Sequence, residues 1–362
     1  NSIFNQSIDV MHIKGSGWNM NSIDEVGLPL VELNPLLKTI NLKKLSDFEM
    51  MNLLRRCLLK SDAPNPSVET LLHAFLPYKY VDHTHANAIL SLIDQPNDVE
   101  ICNDTFNGQV GIVPYVIPGF ELAKKSFEVY NKNKNVIGLI LLKHGIFTFG
   151  DNAKESYKNM IDLVTKAENV IQNSSNRMIL VNKATFAKKV EKDKLISIIR
   201  SEVFKLSSKK MLVRYVNDPL TKKASMGLNL KYYAKSGPAT PDHAIRTKPF
   251  SMILNGIGRV NQNNLVHYTN KKLKEFSQDY TKYFNKYKHR SSSEVTQLDS
   301  IPRVIFYPGH GAFVLAENIK SLKIVEDLTK TFSEVVLGAE KIGKFDSIKR
   351  KDQFDIEYWS LE

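Results

Sequence analysis

Cysteine is scarce in this sequence, and features that would place the chain in a membrane or outside the cell are missing. The two cysteines among 362 residues, Cys57 and Cys102, cannot build a disulfide framework and lack the paired spacing of a zinc-binding motif. No run reaches the ~18 consecutive apolar residues of a membrane span, and no secretory signal peptide is recognisable. We therefore expect a protein of the reducing cytoplasm without a membrane partner.

Positive charge is in excess, but it forms no dense basic arm. The sequence has 50 Lys and Arg against 38 Asp and Glu, a net charge of +12, and the lysines are spread along the chain. Nucleic acid is therefore not expected as a partner, whereas a phosphorylated small substrate fits the sign of the charge. The length and a hydrophobic content of 42% are sufficient for two domains or one large one.

Two histidines one residue apart form the most informative stretch. His83 and His85 follow an apolar run, and alternate residues of a strand share a face, so both imidazoles can hold one metal ion. A closed site needs a third ligand, for which the best candidate is His144 at the end of an aliphatic run typical of a buried strand. The alternative for each histidine is a hydrogen-bonded structural role.

A carboxylate precedes this pair. Glu69 lies on a short helix that we expect Ser67 to cap, with His73 one turn later on the same face. A carboxylate beside a metal can carry a proton to and from a carbanion carbon, so Glu69 is the candidate acid/base. The alternative is a glutamate that only complements the helix dipole.

A Gly-rich stretch near the start is the candidate phosphate site. Gly15, Ser16 and Gly17 follow a short strand, and their backbone N–H groups and the serine hydroxyl can cradle a phosphate. Ser67 is assigned to the same substrate-binding group. A simple hairpin or strand-to-loop turn remains the alternative for 15–17.

In the second half, the segment 237–249 has prolines on both sides of charged residues, so it cannot be one regular helix. Ordered charged loops are often functional, and this segment supplies the candidates His243, Arg246 and Lys248. The alternative is a connecting loop in which Asp242 caps a helix.

The second half also echoes the first. The stretch 143–149 resembles 309–315, and Asn152 and Asn318 follow at the same offset. This pattern predicts a degenerate partial repeat without a second complete metal site, because the second half has no His-x-His. His310 is then either a remnant or a residue that faces the first site. After the stretch 143–149, we expect Asp151 to cap a helix whose apolar residues pack in the core: Tyr157, Met160, Ile161, Val164, Ala167 and Val170.

Taken together, these motifs resemble the class II aldolase/adducin family, most closely the aldolase part of bifunctional rhamnulose-1-phosphate aldolase/short-chain dehydrogenase proteins. The stretches that carry the resemblance are 14–18, 63–77, 81–86, 237–243 and 354–362. It implies a three-layer α/β/α fold in 1–178 and a second α/β region in 179–362. It also implies Zn²⁺, or Mn²⁺ or Co²⁺, on His83, His85 and His144, with Glu69 as acid/base.

The activity implied by the resemblance is cleavage of L-rhamnulose 1-phosphate to dihydroxyacetone phosphate and L-lactaldehyde, in a homo-oligomer. Alternatives are another sugar-phosphate lyase or epimerase and a non-catalytic adducin-like binding module. The family has an upstream Gly-rich loop that the chain from Asn1 does not show, so we expect an incomplete phosphate pocket. A dehydrogenase domain of the full-length protein is expected to lie outside this chain, which has no Gly-x-x-x-Gly-x-Gly loop.

Overall fold

Two four-stranded mixed sheets form the framework of the computed structural model, which describes residues 7–174, 190–291 and 294–359. The strands are β1 Val10–His12, β2 Leu30–Glu32, β3 Tyr80–Thr84, β4 Val110–Val113, β5 Gly138–Leu141, β6 Gly145–Gly150, β7 Leu212–Val216, β8 Met252–Ile253, β9 Val304–Tyr307 and β10 Gly311–Ala316. The sheet orders are β3-β6-β5-β4 and β7-β10-β9-β8, and β1 and β2 form a separate ribbon.

Helices cover these sheets and connect their strands. In the first half they are α1 Leu33–Lys38, α2 Asp47–Arg56, α3 Thr70–Phe75, α4 Asn87–Ile93, α5 Asp98–Phe106, α6 Phe120–Lys132 and α7 Ala153–Asn173. In the second half they are α8 Lys192–Ser207, α9 Pro219–Ala224, α10 Leu230–Ser236, α11 Pro241–Thr247, α12 Leu265–Tyr287, α13 Ile319–Ile342 and α14 Arg350–Glu357. No helix in the described ranges is long and apolar enough to cross a membrane.

Alternate residues of β5 and β6 enter two different cores. Ile140 and Ile146 pack with α4, α5 and α7, whereas Leu139 and Phe147 pack with α1, α2, α3 and α6. Strands covered on both faces are apolar on both faces, which explains the nearly continuous aliphatic runs. The first half is therefore the expected three-layer α/β/α arrangement.

The two halves share a central core. One face of the second sheet, with α10 and α13, joins α4, α5 and α7 in a single hydrophobic cluster. The other face of the second sheet packs against α8 and α12. The second half is thus an α/β unit packed on the first.

The expected internal repeat is visible in the strand pairing. In the first sheet, β3–β6 and β6–β5 are antiparallel and β5–β4 is parallel. In the second sheet, the corresponding pairs β7–β10 and β10–β9 are antiparallel and β9–β8 is parallel. Asn152 and Asn318 both cap the following helix by accepting a backbone N–H three residues on. Helix α11, which lies between α10 and β8, has no counterpart in the first half, where α5 is followed directly by β4.

Several local expectations were wrong. Helix α3 begins at Thr70 with Glu69 as its N-cap residue, so Ser67 does not cap it; the Ser67 hydroxyl accepts the Glu69 N–H in the preceding turn. Asn152, and not Asp151, caps α7. On α7, Tyr157 and Ile161 are 63% and 45% exposed and are not core residues. The boundary at 178/179 lies outside the described residues.

Candidate functional site

The pairing of three strands brings the three histidines together. His83 lies in β3, His85 just beyond its end, and His144 in the turn between β5 and β6, which pair with each other while β6 also pairs with β3. The turn depends on Lys143, whose φ of 60° lies in the left-handed region. One nitrogen from each imidazole lies within 4.8 Å of the others.

His83 is oriented by its own sheet. Its Nδ1 lies 2.9 Å from the carbonyl oxygen of Ile146, which can only accept, so Nδ1 carries the hydrogen and Nε2 carries a lone pair. That Nε2 lies 3.1 Å from Nε2 of His85. The ring stacks on Phe147 with centroids 4.1 Å apart. Burial lowers the pKa of His83 to about 3, which keeps it neutral, the form that binds a metal.

The Glu69 carboxylate faces the same cluster. Its oxygens lie 3.0 Å from His144 Nε2 and 3.3 Å from His83 Nε2. Burial opposes ionisation, but the neighbouring His83 and His144 hold the pKa of Glu69 well below its usual range. Glu69 is therefore a buried, ionised carboxylate beside the histidines.

This donor set fits a divalent cation. Three imidazoles supply three nitrogen ligands, and a backbone carbonyl fixes the tautomer of His83 so that its lone pair points into the cluster. Three protein ligands with a further position for substrate are typical of catalytic metal sites. His83, His85 and His144 are the residues that would hold the ion.

The cluster lies in a cleft of about 620 Å³, a volume typical of small-molecule sites. Both halves line it. Besides the histidines and Glu69, the polar and large residues around it include His12, Lys14, Ser16, Ser67, Asp242 and Trp359.

The candidate phosphate loop forms one wall. The Ser16 N–H donates to Asn65 O at 2.9 Å, and Ser16, Gly17 and Ser67 line the cleft. Gly15 does not line it; its N–H donates to Gly27 O at 2.8 Å. A Cβ at Gly15 would lie 3.0 Å from side-chain atoms of its neighbours, so this glycine permits close packing behind the loop.

The three second-half candidates do not line the cleft. His243 is buried, with Nδ1 2.7 Å from Thr240 Oγ1 and Nε2 2.9 Å from Leu328 O, and burial lowers its pKa to about 4. Lys248 is buried and donates to Tyr280 Oη at 2.9 Å, with Glu357 3.5 Å away. Arg246 is exposed on α11.

The same segment nevertheless reaches the cleft through Asp242 and Ile245. Asp242 is not the helix cap, because Thr240 holds that position. Its carboxylate lies 3.7 Å from His85 Nδ1, so the second half places a negative charge beside one of the three histidines. His310, in contrast, lines a separate pocket.

Sequence reasoning missed Lys14, Asp242 and Trp359 as site residues. Burial lowers the pKa of Lys14, while Asp242 and Glu69 raise it. Lys14 and Asp242 lie inside motifs already singled out, so their charge was an available signal. Trp359 donates its indole N–H to Asp47, and no local pattern places this residue near the cleft.

Comparison with known proteins gives matches across nearly the whole chain. The family model "Class II Aldolase and Adducin N-terminal domain" matches residues 2–171, and "Aldolase class II, second domain" matches 190–362. A relative from Bacillus subtilis (strain 168), "Uncharacterized oxidoreductase YuxG", is 30% identical over 99% of this chain and 52% of its own length. The chain thus spans about half of that relative.

A solved structure, the N-terminal class II aldolase domain of a conserved protein from Thermoplasma acidophilum, is 41% identical. The match covers 45% of this chain and 76% of that one, with a TM-score of 0.42. The two family models, which match residues 2–171 and 190–362, confirm the resemblance drawn from the motifs at the level of the family. The chain belongs to the class II aldolase and adducin family, with an N-terminal aldolase-type domain followed by a class II aldolase second domain.

Proposed function

We propose that this chain is a divalent-metal-dependent aldolase that cleaves a ketose 1-phosphate, with L-rhamnulose 1-phosphate as the substrate. Dihydroxyacetone phosphate and L-lactaldehyde are the products. One observation carries the proposal: His83, His85 and His144 converge beside the ionised Glu69 in one cleft. The family assignment supports an aldolase-type activity.

In the proposed reaction the bond between C3 and C4 of the ketose breaks. The C4 hydroxyl loses its proton and becomes the aldehyde, while the bonding electron pair remains on C3 and its neighbouring carbonyl. A bound Zn²⁺, Mn²⁺ or Co²⁺ would act as a Lewis acid and stabilise the negative charge that develops on the oxygen of this carbonyl. The neutral imidazoles leave the full charge of the ion available for this purpose.

Glu69 has the position for the proton transfer at C3. Its carboxylate is buried and lies against His83 and His144, so it faces whatever the cluster holds. In cleavage the Glu69 carboxylate takes up the proton that the C4 hydroxyl releases and delivers it to C3, and in the reverse direction it removes the proton from C3 and returns it to the aldehyde oxygen.

Ser16, Gly17 and Ser67 are the proposed phosphate-binding residues, with Lys14 as the counter-charge. All four line one cleft with the histidines. A partly buried ammonium in a cleft attracts a phosphorylated substrate more strongly than an exposed one does. We also propose that the protein acts as a cytoplasmic homo-oligomer; the mass in solution, from light scattering, tests the oligomer.

The first experiment is the metal content of the purified chain, compared with His83→Ala. About one divalent ion per chain, lost in the variant, supports the proposal. His267→Ala is the matched control, because His267 is an exposed histidine on α12 and its loss should leave the metal content unchanged. No metal in the wild type, even after Zn²⁺, Mn²⁺ or Co²⁺ is added, would rule out the metal-dependent aldolase and favour a binding module.

The second experiment measures release of dihydroxyacetone phosphate from L-rhamnulose 1-phosphate and other ketose 1-phosphates. Release from L-rhamnulose 1-phosphate alone supports the proposed substrate. Metal binding without release from any of them would point to another lyase or an epimerase.

A further inference from the structure

The second half contains a pocket of its own, at the carboxyl ends of the parallel strands β8 and β9. Its volume is about 370 Å³, and its walls are the segment after β8, the loop between α9 and α10, and the turn between β9 and β10. Ligand sites in α/β proteins are commonly found at this end of parallel strands. Among the described residues, none that lines this pocket also lines the metal cleft.

The internal repeat explains why this space is open. By strand register, the turn that carries Lys143 and His144 corresponds to the turn that carries Gly309 and His310. Gly309 has a φ of 82°, close to the 60° of Lys143. The backbone path is therefore conserved between the halves, but the second turn has no side chain at this position.

In the first half the corresponding space is filled. The Lys143 ammonium donates to Gln95 O at 2.6 Å and to Asp346 O at 3.0 Å, and lies 3.3 Å from the Asp98 carboxylate. In the second half, the Gly309 N–H donates to Ser225 O at 3.0 Å. The contact between turn and loop is kept through the backbone, and Gly309 places no side chain beside it.

The charged side chains that line this pocket are cationic. Lys231, Arg259 and His310 line it, and the described residues around it include no aspartate or glutamate. Lys231 and Arg259 make no ion pair within the described part of the chain. Leu228, Ile253 and Pro308 add apolar surface.

We propose that this pocket binds a small phosphorylated molecule, separately from the metal cleft. Lys231 and Arg259 line one pocket whose described lining residues include no competing carboxylate, and a phosphate offers enough oxygen acceptors to engage both. The apolar wall accommodates the carbon skeleton of such a molecule. The site does not depend on the proposed aldolase reaction.

The test is calorimetric titration with inorganic phosphate at constant ionic strength, comparing wild type with Lys231→Ala/Arg259→Ala. The double variant should bind at least tenfold more weakly, because two charge-assisted contacts are lost. The control is Lys222→Ala/Arg200→Ala, which removes the same charge from two exposed residues that do not line the pocket. The control should bind phosphate like the wild type.

Lys14→Met distinguishes the two sites, because it removes the lysine ammonium that lines the metal cleft and leaves this pocket intact. Phosphate binding that persists in Lys14→Met and weakens in Lys231→Ala/Arg259→Ala supports the proposal. Equal binding in the wild type and the pocket variant overturns it. Equal weakening in the pocket variant and its charge control also overturns it, because the effect is then one of net charge.

Discussion

At the scale of single residues, Glu69 has the clearest expected effect. Glu69→Gln keeps the size of the side chain and removes the proton acceptor, so turnover should fall by about 10²- to 10⁴-fold. The metal content should stay near one ion per chain, because the three histidines remain. Turnover and metal content measured on one preparation check this. Near-normal turnover would exclude Glu69 as the acid/base.

Lys14 is expected to act on substrate binding. Lys14→Ala removes the partly buried cation of the cleft, and loss of a charge-assisted contact costs about 1.5–3 kcal/mol. The KM for a ketose 1-phosphate should therefore rise about 10- to 100-fold, with a smaller change in kcat. Lys60→Ala, at an exposed lysine outside the cleft, should leave both constants unchanged. A fall in kcat alone would mean that Lys14 does not bind the phosphate.

His243 should contribute to the pH dependence of folding. Its pKa in the folded chain is lowered to about 4 by burial, below its ordinary value of 6.5. As the pH falls from about 6.5 to about 4, the unfolded chain takes up a proton at this site and the folded chain does not. Stability is therefore lost over this window, by on the order of 3 kcal/mol at full titration.

The measurement is the free energy of unfolding from urea titrations between pH 7 and pH 4, with a chelator present. His243→Gln should flatten the slope against pH, whatever its effect on stability at pH 7. His267→Gln, at an exposed histidine, is the matched control. An unchanged slope in His243→Gln would show that His243 titrates alike in both states.

At the scale of elements, the two halves offer a matched pair of helix caps. Asn152 accepts the Glu155 N–H at 3.0 Å, and Asn318 accepts the Ser321 N–H at 2.8 Å. Replacing either by Ala removes a capping bond worth about 1 kcal/mol. Each variant should lower the free energy of unfolding by about that amount, as chemical denaturation would show. Asp151→Ala, one residue before the cap, should have a smaller effect on the free energy of unfolding. A larger loss of stability in Asp151→Ala than in Asn152→Ala would mean that Asp151 caps α7, as the sequence predicted.

Strands and long helices were predictable because their periodicity is strong. The buried strands β5 and β6 and the capping box of Ser46 and Glu49 follow local rules that sequence displays directly. Helix α5 has a weak sequence pattern, because only Cys102 and Phe106 of its nine residues are buried. The start of α3 was misplaced because Ser67 bonds the backbone in a turn before the helix.

The site was predictable where the chemistry lies in short motifs and unpredictable where tertiary packing decides. The spacing of His83 and His85 and the aliphatic run before His144 indicated the three members of the cluster. In the segment 237–249, however, α11 turns His243 into the core and Asp242 toward His85. Which side of a short helix faces a cleft depends on how the second half packs. The local sequence does not contain this information.

At the scale of the whole molecule, one close contact between the halves lies where α13 packs against α4. Ser91 donates to Val335 O at 3.2 Å, and Gln95 donates to Ala339 O at 2.8 Å. Between these contacts lies Gly338, where a Cβ would come within 2.3 Å of Ser91 Oγ and 2.8 Å of Ser91 Cβ. Close approach of the two helices therefore depends on the absence of a side chain.

Gly338→Ala separates packing from helix propensity, because the two effects have opposite signs. In a helix interior, alanine is favoured over glycine by about 1 kcal/mol, whereas overpacking in a core costs about 1–3 kcal/mol. We expect the packing cost to be larger, since Ser91 itself is buried and bonded. The variant should therefore lower the free energy of unfolding, as measured by chemical denaturation.

Ser91→Gly combined with Gly338→Ala is the matched test of that contact. Removing the serine side chain makes room for the new methyl group, so the double variant should be more stable than the sum of the two single effects predicts. Because Gln95 O in the same α4–α5 region also holds Lys143 beside His144, Gly338→Ala should bind the metal ion more weakly as well. Additive effects, or a stabilised single variant, would mean that the halves do not approach closely at this crossing.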